Sequence, residues 1–96
     1  MQDLQRLNFL IDKASAMYGS DNQLAIAMGT TRQVISNWRH GHKSPSTEMQ
    51  QKLAELAGID PAPHVLAAAV EKTGNAAAIA LVQQLIAPFR KAWHFS

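Results

Sequence analysis

At 96 residues, 47% of them hydrophobic, the chain is long enough for one small core, with at most a short appendage to that domain. It has no cysteine, which excludes disulfide frameworks, thiolate zinc sites and thiol nucleophiles. The net charge of +2 is unevenly spread: from Asn22 to Thr47 there is no acid, while Arg32, Arg39, Lys43, His40 and His42 fall there, a distribution suited to a polyanionic partner.

Apolar residues recur with helical rather than strand period, and the chain reads as all-α. A first helix is predicted from about Asp3 to Tyr18, with Leu4, Leu7, Leu10, Ile11, Ala14 and Met17 forming one buried stripe, and Gly19 ends it. Ser20 caps a second helix, with Gln23 placed to complete a capping box; Leu24, Ala25 and Met28 face inward and Gly29 makes the turn. Thr31 caps a third helix to about His40. Val34, Ile35 and Trp38 point one way, and Arg32, Gln33, Ser36 and Asn37 point the other. After Gly41 and the loop "HKSPS", a fourth helix runs from about Ser46 to Ala57 around Met49, Leu53 and Leu56. Asp60 and Pro61 open a fifth through Val65, Leu66, Ala69 and Val70 to Gly74. A sixth starts at Asn75, and Pro88 is expected to end or kink it, leaving "FRKAWHFS" as an amphipathic tail.

The N-terminal "MQDLQRLNFL" places Asp3 before any basic residue and has no long apolar run, so it does not read as a signal peptide. The most apolar stretch, Ala76 to Ala87, falls short of the ~20 residues a membrane span needs. These features lead us to expect a cytoplasmic protein with no membrane partner.

The segment "LAIAMGTTRQVISNWRHG", Leu24 to Gly41, resembles the helix-turn-helix of the lambda repressor and Cro family. That family's pattern is a Leu-Ala pair, an apolar residue and Gly at the turn, then Ser or Thr capping a helix that contains Ile-Ser and ends at Gly. The likeness covers about Gly19 to Ile59 strongly and the first helix more loosely, and the ending "SNWRHG" is similar to small phage and prophage regulators and to some antitoxins. It implies a compact five- or six-helix lambda-repressor-like DNA-binding domain with a C-terminal apolar helix. Residues 1–60 would form the helix-turn-helix core (the motif itself at about 20–41), and residues 61–96 would support it and provide a possible dimerisation surface.

A reading helix needs an apolar back to hold it and a polar front to reach base edges in the major groove, and the third helix has both. The resemblance then implies base contacts from Arg32, Gln33, Ser36 and Asn37. It implies backbone contacts from Ser20, Asn22 and Thr31 at helix starts, and from Arg39, His40, His42, Lys43 and Ser44 at the end of the third helix and in the loop beyond. At the residue after the cap of the second helix the family often has a Gln that grips a phosphate; here it is Asp21, which repels one unless it turns away.

Trp38, spaced with Val34 and Ile35, belongs with the core rather than with a stacking platform. His40, His42, His64 and His94 do not assemble a metal-ligand pattern, no nucleophile is spaced beside a base, and neither cofactor nor enzymatic activity is expected. Ile79, Leu81, Val82, Leu85, Ile86, Phe89, Trp93 and Phe95 exceed what a five-helix core can cover, so residues after Gly74 are expected to supply much of a homodimer contact, matching a palindromic operator. Two other readings use the same fold: an antitoxin-type DNA-binding autoregulator, and a protein-binding adaptor, either one holding a protein partner through residues 61–96.

Overall fold

The computed structural model describes the backbone of residues 3–94 and the side chains of residues 3–91, and every element in it is helical. The elements are α1 (Leu4–Tyr18), α2 (Asp21–Met28), α3 (Arg32–Arg39), α4 (Thr47–Ala57), α5 (Ala62–Thr73) and α6 (Ala76–His94). Local signals set most boundaries. The side chains of Asp3, Ser20, Thr31 and Ser46 each accept a hydrogen bond from the backbone N–H three residues on, satisfying a donor that the first turn leaves orphaned. Asp60 accepts from the Ala62 N–H, and Asn75 accepts from that of Ala78.

Helix α1 is central because it buries two faces. Leu7, Leu10, Ile11 and Ala14 join Leu24, Ala25 and Met28 of α2, Ile35 and Trp38 of α3, and Leu53 and Ala54 of α4 in the main core. Phe9 turns the other way and joins Ala67, Val82 and Ile86 in a second cluster that seats α5 and α6. The expected α1 stripe is shorter than its spacing implied: Leu4 is 37% exposed and Met17 67%. At 15 residues α1 is about 22 Å long, while α2 and α3 have 8 each and reach about 12 Å, so they cannot cover its whole length.

Pro88 neither ends the last helix nor detaches a tail; α6 continues through it to His94. A proline there removes one hydrogen bond to the carbonyl of Gln84, and because Gln84, Leu85, Ala87, Pro88 and Phe89 are all exposed, water can reach that carbonyl. Arg90 fastens the part beyond. It donates to Asp3 Oδ2 (2.6 Å), to Gln5 Oε1 (3.2 Å) and to Gln83, and so bridges the proline while tying α6 to the start of α1. Burial raises the Asp3 pKa, but hydrogen bonds from Arg90 and from the Arg6 backbone N–H outweigh it and hold the carboxyl below its ordinary value.

Arg6 lies inside, 1% exposed, where periodicity alone would leave a charge in solvent. A buried guanidinium is tolerated only with partners. Its Nη2 donates to Gln50 Oε1 at 2.7 Å and lies 3.7 Å from Glu71 Oε1, and its Nη1 lies 3.2 Å from His64 Nδ1. Arginine can only donate, so Nδ1 of His64 accepts and the ring proton sits on Nε2. Gln50 in turn donates to the Pro45 carbonyl at 3.1 Å, linking this buried group to the loop that follows α3.

Burial and the Arg6 charge push the His64 pKa down from 6.5 to about 4. The folded state therefore holds His64 neutral, while the unfolded chain takes up a proton below 6.5, so stability falls as pH drops from 6.5 toward 4. The full effect is on the order of 3 kcal/mol. Burial raises the pKa of Glu71 above 4.5 despite the Arg6 charge, which adds stability as pH falls and opposes the histidine at the lower end. The expected result in urea unfolding at a series of pH values is a loss of stability on acidification from 6.5, in the upper part of that window, which His64→Gln removes. An unchanged slope in the variant would place the titrating group elsewhere.

Candidate nucleic-acid interface

Two eight-residue helices joined at Gly29 build the exposed surface that carries the candidate residues. Gly29 adopts φ 71°, ψ 30°, its N–H donates to the Ala25 and Ile26 carbonyls, and the Thr30 N–H donates to the Ala25 carbonyl at 2.9 Å. This left-handed residue closes α2 and turns the chain at once, so that Thr31, in extended conformation, can cap α3. Helix α3 is sharply two-sided. Ile35 and Trp38 are buried and Val34 packs partly against them, whereas Arg32 and Gln33 are exposed and Ser36 and Asn37 half-buried.

The expected base readers thus share one face. Gln33 Nε2 donates to Asn37 Oδ1 at 3.1 Å, so the two amides are ordered against each other before any partner arrives. Beyond α3 the chain folds back on the helix end: the N–H groups of His42 and Lys43 donate to the Asn37 carbonyl at 2.9 and 3.3 Å. Gly41 makes this possible with φ +75°, and Leu4 packs over it, 3.2 Å from where a Cβ would stand.

The expected backbone contacts fall in two places. Ser20, Asn22 and Thr31 mark the starts of α2 and α3, where Ser20 and Thr31 spend their hydroxyls as caps. His40, His42, Lys43 and Ser44 lie exposed around the loop after α3. His40 is tied to its own helix, with Nδ1 donating to the Ser36 carbonyl at 2.8 Å, and its ring stacks on His42 at 5.9 Å between centroids.

Arg39 is placed differently from the expectation of a phosphate contact. Its guanidinium grips Asp21 through Nε and Nη2, both at 2.9 Å, and Asp12 through Nη1 at 2.6 Å. The same pairing answers the difficulty posed by Asp21. Hydrogen bonds from Arg39, aided by one from Ser15 and opposed by burial, hold the Asp21 carboxyl below its ordinary pKa, and its charge is met within the protein. The Arg39 pKa is raised by the same contacts. Asp12, Asp21 and Asn8 were not legible as partners of Arg39, since they stand 27, 18 and 31 residues away.

The expected dimerisation residues divide. Val82 (7% exposed) and Ile86 (2%) belong to the second core cluster and are corrected to intramolecular packing, and Ile79 is half-buried. Leu81, Leu85 and Phe89 remain exposed along one side of α6. The side chain of Trp93, the whole of Phe95 and the side chain of His94 lie outside the described residues. Among the described residues no three His, Cys, Asp or Glu side chains gather so as to hold a metal ion, and no helix is long and apolar enough to cross a membrane.

A capped helix, a glycine turn and a second capped helix with buried back and polar front define a helix-turn-helix domain. A helix-turn-helix family model matches residues 19–63, so this segment is similar to the lambda repressor/Cro-like helix-turn-helix family, a family of DNA-binding regulators. No curated protein and no solved structure matches the chain.

A Cβ at Gly29 would meet no atom within 4 Å, so Gly29→Ala is penalised by backbone conformation alone. That strain is roughly 1 kcal/mol, which for a domain of this size lowers the melting temperature by about 4–8 °C. Gly29→Val should melt lower still, as a β-branched residue fits the left-handed region worst. Thermal unfolding by circular dichroism checks the order; equal melting temperatures for all three proteins would refute it.

Proposed function

We propose that the chain is a sequence-specific double-stranded DNA-binding transcriptional regulator, a phage-type repressor or Cro-like protein, that reads the major groove with α3. It would act in the cytoplasm of a bacterial cell, at the nucleoid. The observation that carries the reading is the two-sidedness of α3: Ile35 and Trp38 hold its back, and Arg32, Gln33, Ser36 and Asn37 form an acid-free front. Arg32 matches guanine O6 and N7, and the ordered Gln33–Asn37 pair offers amide donors and acceptors to adenine N6 and N7. Lys43, with His42 and Ser44, meets phosphates from the loop, and the N–H groups at the starts of α2 and α3 do so from the other side.

Selection of bound fragments from random duplexes tests the reading, with an enriched palindrome as the expected result. Gln33→Ala and Asn37→Ala should each weaken binding to the enriched duplex by about 1–3 kcal/mol and leave non-specific binding almost unchanged. Lys43→Ala should weaken all duplexes alike and reduce the salt slope by about one unit. If the reading-face variants bind the enriched duplex as wild type does, α3 is not the reading helix.

A single α3 spans few base pairs, and a twofold pair placing two of them about 34–36 Å apart would give both affinity and a palindromic site. Leu81, Leu85 and Phe89, spaced four residues apart on α6 and 62%, 66% and 46% exposed, support a homodimer contact there. Leu85→Glu should leave the melting temperature of the monomer intact and shift sedimentation from dimer to monomer. A wild-type chain that sediments as a monomer would assign the stripe to a protein partner instead, as in the antitoxin-type reading.

A further inference from the structure

We propose that Arg39 is a positioning residue and not a phosphate contact: its guanidinium clamps the end of α3 to α1 and α2 and so sets the angle at which Gln33 and Asn37 meet the bases. The proposal rests on the DNA-binding reading above and adds what holds the reading helix in register. Three observations combine. The first is saturation. Nε and Nη2 take both oxygens of Asp21 at 2.9 Å, and Nη1 takes Asp12 Oδ1 at 2.6 Å and Asn8 Oδ1 at 3.3 Å, which leaves almost no N–H for a phosphate.

The second is charge. Two carboxylates face one guanidinium, so the cluster has no positive surplus with which to attract the DNA backbone. The Arg39 side chain is itself only 23% exposed, against 51% for Asp12 and 31% for Asp21. The third is reciprocity between elements. Asn8 Nδ2 donates to the Arg39 carbonyl at 3.0 Å while Asn8 Oδ1 receives its guanidinium, and Ser15 Oγ donates to Asp21 Oδ1 at 2.8 Å. Backbone and side chain of the same residue are thus held by α1, and the acid that α2 contributes is held by α1 as well.

This matters because the apolar anchorage of α3 is short. Ile35 and Trp38 lie one turn apart on one face with Val34 only partly buried beside them, which fixes how deep the helix sits more firmly than its angle about that line of contact. A bidentate pair at the helix end adds the missing restraint. Planar fork geometry gives it direction, which a lysine ammonium cannot supply.

The test measures affinity for the duplex enriched by wild type and for a scrambled duplex of the same composition, each at several salt concentrations. It uses Arg39→Ala, Arg39→Lys and Asp21→Ala, at a temperature where circular dichroism shows each folded. A positioning role predicts that Arg39→Ala weakens the enriched duplex by roughly tenfold or more, the loss of about one bidentate base contact, with the salt slope on scrambled DNA unchanged. Arg39→Lys should not rescue it. Asp21→Ala should also lose discrimination, although removing an acid near DNA would by charge alone strengthen binding to both duplexes.

A salt slope reduced by about one unit in Arg39→Ala, together with tighter binding of both duplexes by Asp21→Ala, would overturn the clamp and make Arg39 a phosphate contact. Should Arg39→Ala not fold, Asp21→Ala and Arg39→Lys decide by the same criteria. In wild type the Arg39 Nε–H resonance should be protected from exchange and stay in place when the enriched duplex is added; a large shift on binding speaks for phosphate. Failure of wild type to enrich any duplex would instead remove the DNA-binding reading, a result distinguishable from retained discrimination in Arg39→Ala.

Discussion

An eight-residue helix does not hold its shape in water by itself, since isolated helices are marginal below about 12–15 residues, and both α2 and α3 are of that length. Their order comes from burial against α1. Leu24, Ala25 and Met28 from one and Ile35 and Trp38 from the other meet Leu7, Leu10, Ile11 and Ala14 in a single core closed on the far side by Leu53 and Ala54 of α4. The polar front of α3 is left exposed because the apolar anchorage of the helix, Ile35 and Trp38, lies on its other side. Asp12, Asn8 and Ser15, which lie on α1 outside this apolar stripe, reach Arg39 and Asp21, so one helix supplies both the packing and the polar restraint of the motif.

The second cluster serves a different end. Phe9, Ala67, Val82 and Ile86 bring α5 and α6 onto the opposite face of α1, while Arg6 is enclosed with Gln50, His64 and Glu71 contributed by α4 and α5. Enclosing a guanidinium is costly, and here the compensation is incomplete: among the described residues Arg6 Nε and Glu71 Oε1 are buried without a hydrogen-bond partner. What the arrangement contributes is definition. A hydrocarbon core tolerates sliding, whereas Arg6 satisfies Gln50 and Gln50 satisfies the Pro45 carbonyl in only one register of α1 against α4. That register also fixes the loop carrying His42, Lys43 and Ser44, so the placement of the candidate phosphate contacts is connected to a charge buried beneath them.

Most of the fold was legible because most of its boundaries are local. Ser20 with Gly29, and Thr31 with the residues after it, act within a few positions, and short-range rules read them correctly; so did the alternation of Ile35 and Trp38 with Arg32, Gln33 and Asn37. What could not be read depends on partners far apart in the chain. Arg6 resembles any solvated arginine until Gln50, His64 and Glu71 are folded around it. Pro88 signals a break that Arg90, by reaching back to Asp3 and Gln5, prevents from becoming one. Arg39 sits where a phosphate contact is expected, and only the return of α1 and α2 brings Asp12 and Asp21 against it.

The charge pattern shows how far such a reading can mislead. In sequence the segment from Asn22 to Thr47 is wholly without acids, and its cations sum to a strong field. In the folded chain Asp21 and Asp12 flank that segment in space and absorb Arg39, so the field over the candidate interface comes from Arg32, Lys43 and the partial charges at the starts of α2 and α3. Few cations mean few counterions released, and non-specific attraction to DNA falls with them. Under the proposed DNA-binding reading, a protein so equipped would gain more from exact placement of Gln33 and Asn37 than from charge, and from presenting two such faces rather than one. The ordering contacts around α3 and the exposed stripe on α6 are both consistent with recognition that depends on geometry more than on electrostatic attraction.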